Sequence, residues 1–410
     1  MNSETICDRR VERDAVLEAF RSFSTRNSTP AEAIRMMDLG RQECPVPFSE
    51  ELGGFHVFRN HADVARGMTD WKLYGSAPSV ARPLPAVAPE DHPRTIGIHY
   101  DPPEHNKWRN LLVEGLNPNT PARIKSLVEN GVRRRLDAIA KRGGGDLVED
   151  LAVPIALDSI CDVIGFSGGE AEKQRIVELS RIFISKMRDS ADYVRKFTEL
   201  GDIGIIEIER RRDETRDDFI SFIARYEHEG QRLSRKDLND TMATLFAAGH
   251  GTTANAIGGM VWDVLTRPGT LDALRRDPAL VPNAIEESLR LHAPFFGLFR
   301  MARQDHEIHG IHIREGESVM MAWQGANLDP ARFEAPHEYR LDRPEYRHMT
   351  FGRGRHACVG APTARMEMEA ILRELLRRPE TFKLIDPLTD PFEFEGSESA
   401  GPTALIVSVS

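Results

Sequence analysis

The segment FAAGHGTTANAIGG, residues 246–259, sets Gly249, Gly251, Gly258 and Gly259 inside an otherwise apolar helical pattern that runs over 235–266. Each glycine in a helix interior costs about 1 kcal/mol relative to alanine, so four in one helix need a neighbour that approaches the backbone closely. The same segment carries His250, Thr252 and Thr253, polar groups where a core helix normally has none. Any fold for this chain has to supply that neighbour and give those polar groups a task.

Helical periodicity dominates elsewhere. Ile124, Leu127, Val128, Val132, Leu136 and Ile139 fall close to i, i+3, i+4 spacing over 122–141, and similar patterns mark 149–165, 170–187, 193–229, 281–292 and 361–378. Strand-like alternation is confined to 53–60, 306–323 and 403–410. Prolines forbid a continuous helix across 75–105, and a loop of that length in a compact domain is usually functional. With no repeat and no linker, the expectation is one large, mainly α domain with a minor β portion (α+β) over 46–410. Residues 1–45 are left as an unassigned N-terminal segment.

Composition narrows the classes. A net charge of −10 argues against a nucleic-acid partner, and 40% hydrophobic with 29% charged residues suits a large soluble core. The four cysteines, Cys7, Cys44, Cys161 and Cys358, have no paired spacing, which fits a reducing compartment and disfavours a disulfide framework or structural zinc. The polar start and the lack of any apolar run near the roughly 18 residues that span a bilayer predict a soluble, cytoplasmic protein with no membrane partner.

Chemistry concentrates in TFGRGRHACVGAPTARMEMEAILRELLRR, residues 350–378. A cysteine just before a helix N-terminus sits in positive potential, which favours the thiolate. Gly352 and Gly354 permit a tight turn, Gly360 allows close approach to something flat and large, and Arg355 and His356 bring donors beside the sulfur. Such a thiolate could be a catalytic nucleophile, a redox sensor or an axial ligand to haem iron. The plain alternative, an inert buried cysteine, is opposed by Phe351, the paired glycines and His356.

The run Phe351–Gly352–x–Gly354–x–His356–x–Cys358–x–Gly360, continuing through Ala364, Arg365 and Glu367, resembles the signature of the cytochrome P-450 superfamily of haem-thiolate monooxygenases. The resemblance implies that haem b lies between a long distal helix and the proximal cysteine loop, with Cys358 as axial ligand. Glu287 and Arg290 in EESLRLHAP resemble the family's buried structural pair, and GANLDPARF at 325–333 follows in the expected order. His105, Arg109, Arg300 and His356 would then serve the haem propionates. The distal stretch reads Ala248–Gly249–His250–Gly251–Thr252–Thr253 where relatives carry Ala/Gly–Gly–x–acid–Thr–Thr. Gly249 would let the backbone pass close to the porphyrin, Thr252 would hold the water that delivers protons, and Gly258 and Gly259 would serve helix packing.

Two departures stand out. Gly251 occupies the position of the acid that relays protons, and glycine relays nothing. Water ordered by His250 or Asn255, an acid reaching in from elsewhere, or the use of peroxide remain open as substitutes. His250 itself points about 100° away from Gly251 round the helix, which favours a packing histidine bonded to a backbone carbonyl. Glu338 stands where many relatives have arginine, which leaves Arg343 as the candidate to complete the Glu287–Arg290 network.

By the same resemblance, Leu245, Ala248, Phe295, Phe296 and Leu298 would line an apolar pocket for a terpenoid, steroid-like or aromatic molecule. Arg82 in the irregular loop could meet a substrate carboxylate, although exposed loop arginines rarely do. Lys107, Arg353, Arg355 and Arg365 form a candidate docking patch for a ferredoxin-type electron donor, since the chain has no flavin or iron–sulfur segment of its own. The expected protein is a monomer that uses O2; a peroxide-driven enzyme and a non-catalytic haem sensor or carrier are the alternatives. His306, His309 and His312 read as a hairpin with exposed histidines rather than a metal site, and the arginine runs at 133–135 and 210–212 as solvated helix faces.

Overall fold

The computed structural model describes residues 3–76, 94–116, 120–183, 191–211, 214, 216–387, 389–395 and 398–410. Its helices are α1 (Ser3–Arg21), α2 (Pro30–Asp38), α3 (His61–Thr69), α4 (Glu104–Gly115), α5 (Thr120–Arg142), α6 (Val153–Ile164) and α7 (Glu170–Phe183). They continue with α8 (Ala191–Arg210), α9 (Phe219–Ile223), α10 (Arg235–Thr266), α11 (Thr270–Arg276), α12 (Val281–Leu291), α13 (Trp323–Asn327) and α14 (Ala361–Arg377). The class is the expected one, mainly α with a minor β part. α10 opens with a reciprocal capping box between Ser234 and Asp237, and its 32 residues extend about 48 Å. Buried positions from Asn239 to Val264 fall on every side of it, and α6, α7, α8, α12 and α14 all pack against it. A helix buried all round has no solvent face to alternate with, so its pattern is continuous rather than striped.

The largest sheet has five strands in the order Phe48–Ser49, Phe55–Phe58, Ser318–Met321, Leu298–Ala302, Tyr74–Gly75. Ser318–Met321 runs parallel to Phe55–Phe58 and antiparallel to Leu298–Ala302, which sets Val319 opposite Arg300. The C-terminal alternation forms Ile406–Val409, which pairs with both Phe382–Leu384 and Gly144–Asp146. Part of the first 45 residues belongs to the interior. Val16, Phe20, Phe23, Ala33, Met37 and Cys44 form a buried cluster with Phe55, Phe296 and Phe299. The fully buried guanidinium of Arg59 fastens them, donating to the carbonyls of Met36, Met37, Leu39, Gly40 and Cys44 at 2.6–3.1 Å.

Several expectations are corrected. The single helix expected over 193–229 is broken into α8 and α9 at Arg211, which is 2% exposed. Arg211 pairs at 2.6 Å with both Glu207 in α8 and Asp218 beyond the break, and Asp218 caps α9 by accepting from the Ser221 N–H at 2.7 Å. A buried cation shared by two segments is a tertiary demand that periodicity does not record. It also removes Arg211 from the solvated face assigned to 210–212. The helix over 149–165 begins as a π-turn, Val148–Ala152, before α6. The strand-like alternation over 306–323 forms the hairpin expected at its histidines, His306–Ile308 with Ile311–Ile313, followed by the separate strand Ser318–Met321. Left-handed backbone at His309 (φ 50°) and Gly310 (φ 74°) makes its turn. Its histidines diverge: His306 meets the Tyr74 hydroxyl at 2.7 Å, His309 the Asp63 carboxylate at 2.9 Å and His312 Asp305 at 3.9 Å. Residues 77–93, including Arg82, and residues 184–187 of the pattern over 170–187 lie outside the described residues.

Candidate active site

The cysteine loop is shaped by left-handed glycines, Gly352 at φ 67° and Gly354 at φ 69°. They turn the chain back so that the Cys358 N–H donates to the Phe351 carbonyl at 2.8 Å. The Cys358 side chain is accessible, yet burial within the surrounding protein pushes its thiol pKa up. The N–H groups of Gly360 and Ala361 at the start of α14, then Arg109 and Arg365, oppose that rise and favour the thiolate. A Cβ on Gly360 would lie 3.8 Å from the sulfur, an ordinary contact, so the backbone N–H is this residue's clearer contribution.

A rigid frame holds the loop. Arg290 and Glu287, both fully buried, form a two-point ion pair at 2.8 Å, and Arg343 Nε donates to Glu287 at the same distance. Arg343 therefore completes the network, as the sequence suggests. Glu338 takes part through its backbone carbonyl, which accepts from both Arg290 and Arg343. Asn327, whose importance sequence reasoning missed although it lies in the GANLDPARF motif, accepts from the Met349 N–H and donates to Thr350. Thr350 donates in turn to the Leu289 carbonyl, so α12 is tied directly to the segment that leads into Phe351.

The four residues assigned to propionates divide. Arg300 is 3% exposed and donates to the Phe299 carbonyl at 2.9 Å, with no carboxylate in ion-pair range among the described residues. Burial lowers its pKa to about 10. His105 on α4 is 1% exposed and neither ring nitrogen has a partner. A buried cation without an anion, beside a buried imidazole without a hydrogen bond, is unfavourable unless a ligand completes both. His356 has partners within the protein: Nδ1 faces the Gly97 carbonyl at 3.0 Å and Nε2 the Ser76 hydroxyl at 3.2 Å. Burial, then Arg300 and His105, hold it neutral with a pKa of about 3, so Nδ1 donates and Nε2 accepts. Its ring meets that of His105 edge to face, 4.5 Å between centroids. Arg109 donates to the Ala357 carbonyl at 2.6 Å, so that edge of its guanidinium serves the cysteine loop. Asp101, which no sequence signal marked, accepts from the Ser76 N–H with both oxygens and pairs with Arg303.

On α10, Ala248, Gly249, Gly251 and Thr252 are half-buried while His250 and Thr253 are buried. The Thr252 hydroxyl donates to the Ala248 carbonyl at 2.8 Å. Gly249, Gly258 and Gly259 each have a close neighbour in the protein. A Cβ on Gly249 would fall 2.6 Å from Ile160 on α6, so the packing of α6 on α10 by itself already demands a glycine here. Gly258 and Gly259 do serve packing, against Pro402 at 2.5 Å and His292 at 3.1 Å. Of the pocket candidates, Leu245 is buried and Ala248, Phe295 and Leu298 are half-buried. Phe296 is removed from the set: it is 2% exposed and packs edge to face on Phe394 in the N-terminal core. Arg365 is likewise unavailable as a free cation, because it forms a two-point pair with Glu286 and stacks on Phe351.

Glu367 on α14 carries a further perturbed carboxyl. Burial raises its pKa to about 8, against one hydrogen bond from the Ser159 hydroxyl at 2.6 Å, and its other oxygen has no partner.

These residues fit a haem: an accessible sulfur backed by two N–H groups, and a buried Arg300 and His105 that lack the carboxylates a propionate would bring. Comparison with known proteins agrees. Residues 170–398 match the family model described as cytochrome P-450. The chain is 30% identical over 369 residues to mycinamicin IV hydroxylase/epoxidase of Micromonospora griseorubida, covering 88% of this chain and 90% of that protein. It is 32% identical over 283 residues to 6-deoxyerythronolide B hydroxylase of Saccharopolyspora erythraea, covering 68% and 69% respectively. The solved structure of the cytochrome P-450 enzyme CYP109B1 from Bacillus subtilis superposes with a TM-score of 0.77 at 27% identity, covering 92% of this chain and 98% of that one. Motif, frame, ligand-poor polar groups and relatives converge, and the chain belongs to the cytochrome P-450 superfamily.

Proposed function

We propose that this monooxygenase inserts one oxygen atom from O2 into an apolar small molecule, with electrons supplied by a separate ferredoxin-type protein. As a member of its superfamily it binds haem b through the Cys358 thiolate, and the haem supplies O2 binding and reduction. The observation that carries the reading is the pairing of an accessible Cys358, braced by the Glu287–Arg290–Arg343 network, with an unpartnered His105 and an Arg300 that has no carboxylate in ion-pair range among the described residues. Arg300 and His105 would hold the propionates, while the N–H groups of Gly360 and Ala361 keep negative charge on the sulfur. The overall reaction consumes two electrons and two protons: one oxygen atom enters the substrate and the other leaves as water. Thr252, on the half-buried stretch of α10, would hold the water that hands over those protons.

The relatives named above act on mycinamicin IV and 6-deoxyerythronolide B by their names. For this chain the half-buried Ala248, Phe295 and Leu298, and the buried Leu245, support an apolar ligand of terpenoid, steroid-like or aromatic kind. Lys107, Arg353 and Arg355 remain as the cationic set for an acidic donor, with Lys107 lying over Trp108 and Arg355 over Trp71. The experiment is a spin-state screen of such ligands on the haem-loaded protein, followed by turnover with O2, NAD(P)H and a ferredoxin pair or with hydrogen peroxide alone. Product in the first arm is expected. Product only with peroxide shifts the reading to a peroxide-driven enzyme, and none in either arm favours a carrier. Thr252→Ala is expected to release a larger share of reducing equivalents as peroxide; an unchanged share removes Thr252 from oxygen activation.

A further inference from the structure

The missing acid at Gly251 leaves open how protons reach α10, and the far side of that helix carries an answer. A cleft of about 40 Å³ is lined by His250, Gly251 and Ala254 of α10, by Ser180 and Arg181 of α7, and by Glu149 of the π-turn before α6. It lies roughly 130° round α10 from the half-buried side that holds Ala248 and Thr252. Two buried polar atoms from its walls, His250 Nε2 and Ser180 Oγ, have no hydrogen-bond partner, and each residue is only 4% exposed. Buried polar atoms are rarely left unsatisfied, and a cleft of this volume has room for about two or three waters, which these two atoms would hold between walls that are otherwise largely apolar. The other side of the imidazole is met by the Val153 backbone. Burial, then Arg181, depresses the His250 pKa to about 4, so at neutral pH the ring is uncharged and Nε2 is left to bond water. At the mouth, Glu149 and Arg181 form an ion pair at 3.3 Å with both side chains more than half exposed, and the exposed Glu395 lies alongside.

We propose that this cleft is a water-filled proton inlet: protons enter from solvent past Glu149 and Glu395, pass along water held by Ser180 Oγ and His250 Nε2, and reach the backbone at Gly251 beside Thr252. Each hop hands on one proton and takes up another, so the water is not consumed; the net demand is the two protons of the oxygenase reaction. Gly251 has a positive role in this arrangement. It is both a wall of the cleft and the residue next to Thr252, and having no side chain it leaves the water column open where relatives place the acid itself. This inference rests on the oxygenase reading above.

The test begins with a high-resolution crystal structure of the haem-loaded protein, where ordered water within about 3.2 Å of both His250 Nε2 and Ser180 Oγ is expected. A dry cleft overturns the inlet. The second measurement compares wild type with Ser180→Ala, Ala254→Val, which narrows the cleft without removing a polar group, and the double variant Glu149→Gln with Glu395→Gln. Each is expected to slow the proton-dependent step by about tenfold, less than the ~100-fold of a directly positioned acid, with a larger solvent isotope effect and a larger peroxide share. The thiolate-type band of the reduced carbon monoxide complex and the ligand-induced spin shift stay as in wild type. If those two spectra persist while all three variants keep wild-type peroxide share and isotope effect, the inlet is overturned and the oxygenase reading stands. If wild type shows no thiolate band, it is the oxygenase reading that fails.

Discussion

At the residue scale, the functional side chains are distinguished by what they lack. Among the described residues His105 has two unpartnered nitrogens, Arg300 no carboxylate in ion-pair range, Glu367 an unpartnered oxygen and His250 an unpartnered Nε2. Folding leaves such groups bare at a cost, and all four belong to motifs that the sequence already marked. Glu367 yields a prediction about stability. Its pKa in the fold is raised to about 8, well above that of an unfolded glutamate, so the folded state holds an extra proton between those two values. Stability from this group is complete below the unfolded pKa and declines as pH rises toward about 8. Glu367→Gln, which keeps an acceptor for Ser159, removes that dependence. Urea unfolding at pH 6 and pH 8 should show the variant gaining on wild type, by at most about 1.4 kcal/mol per pH unit; parallel curves would show that the carboxyl is ionised in the fold.

At the element scale, α10 shows how one pattern can have several causes. Its glycines read alike in sequence, yet Gly249 meets Ile160, Gly258 meets Pro402 and Gly259 meets His292. Ile160 and Pro402 come from elements far away in the chain, which is why no local rule could assign them. Gly249→Ala is expected to destabilise through the Ile160 clash by about 1–3 kcal/mol, partly offset by the ~1 kcal/mol better helix propensity of alanine. Adding Ile160→Val deletes the methyl in closest conflict, so the double variant should be more stable than the sum of the single changes. Additive melting shifts would mean that the helices part rather than clash. The break between α8 and α9 teaches the complementary lesson. The apolar pattern lapses between Ile208 and Phe219, and the buried Arg211 ties Glu207 to Asp218 across that gap.

At the scale of the whole molecule, the N-terminal segment and the haem frame are joined through the five-stranded sheet. Phe55 and Phe299 meet edge to face at 5.1 Å in the N-terminal cluster, and the strand that carries Phe299 also carries Arg300. Arg59→Ala would strip five carbonyls of their donor and leave Phe20 without the cation over its ring, at 5.0 Å. A loss of about 3 kcal/mol or more is expected, with faster proteolytic cutting within residues 24–45. Unchanged cutting would mean that the apolar cluster holds the segment without the arginine. The sequence by itself determined the helical class, the extent of α10, the cysteine motif and the Glu287–Arg290 pair, because each is written in local spacing or in a motif whose residues are close in the chain, whereas Arg343 joins that pair only in the fold. Only the tertiary structure decided that Phe296 is core, that His356 is satisfied by Gly97 and Ser76, that Gly249 answers to Ile160, and that a cleft backs Gly251. Those outcomes depend on which distant atom fills the space beside a residue, and spacing along one chain carries no record of that.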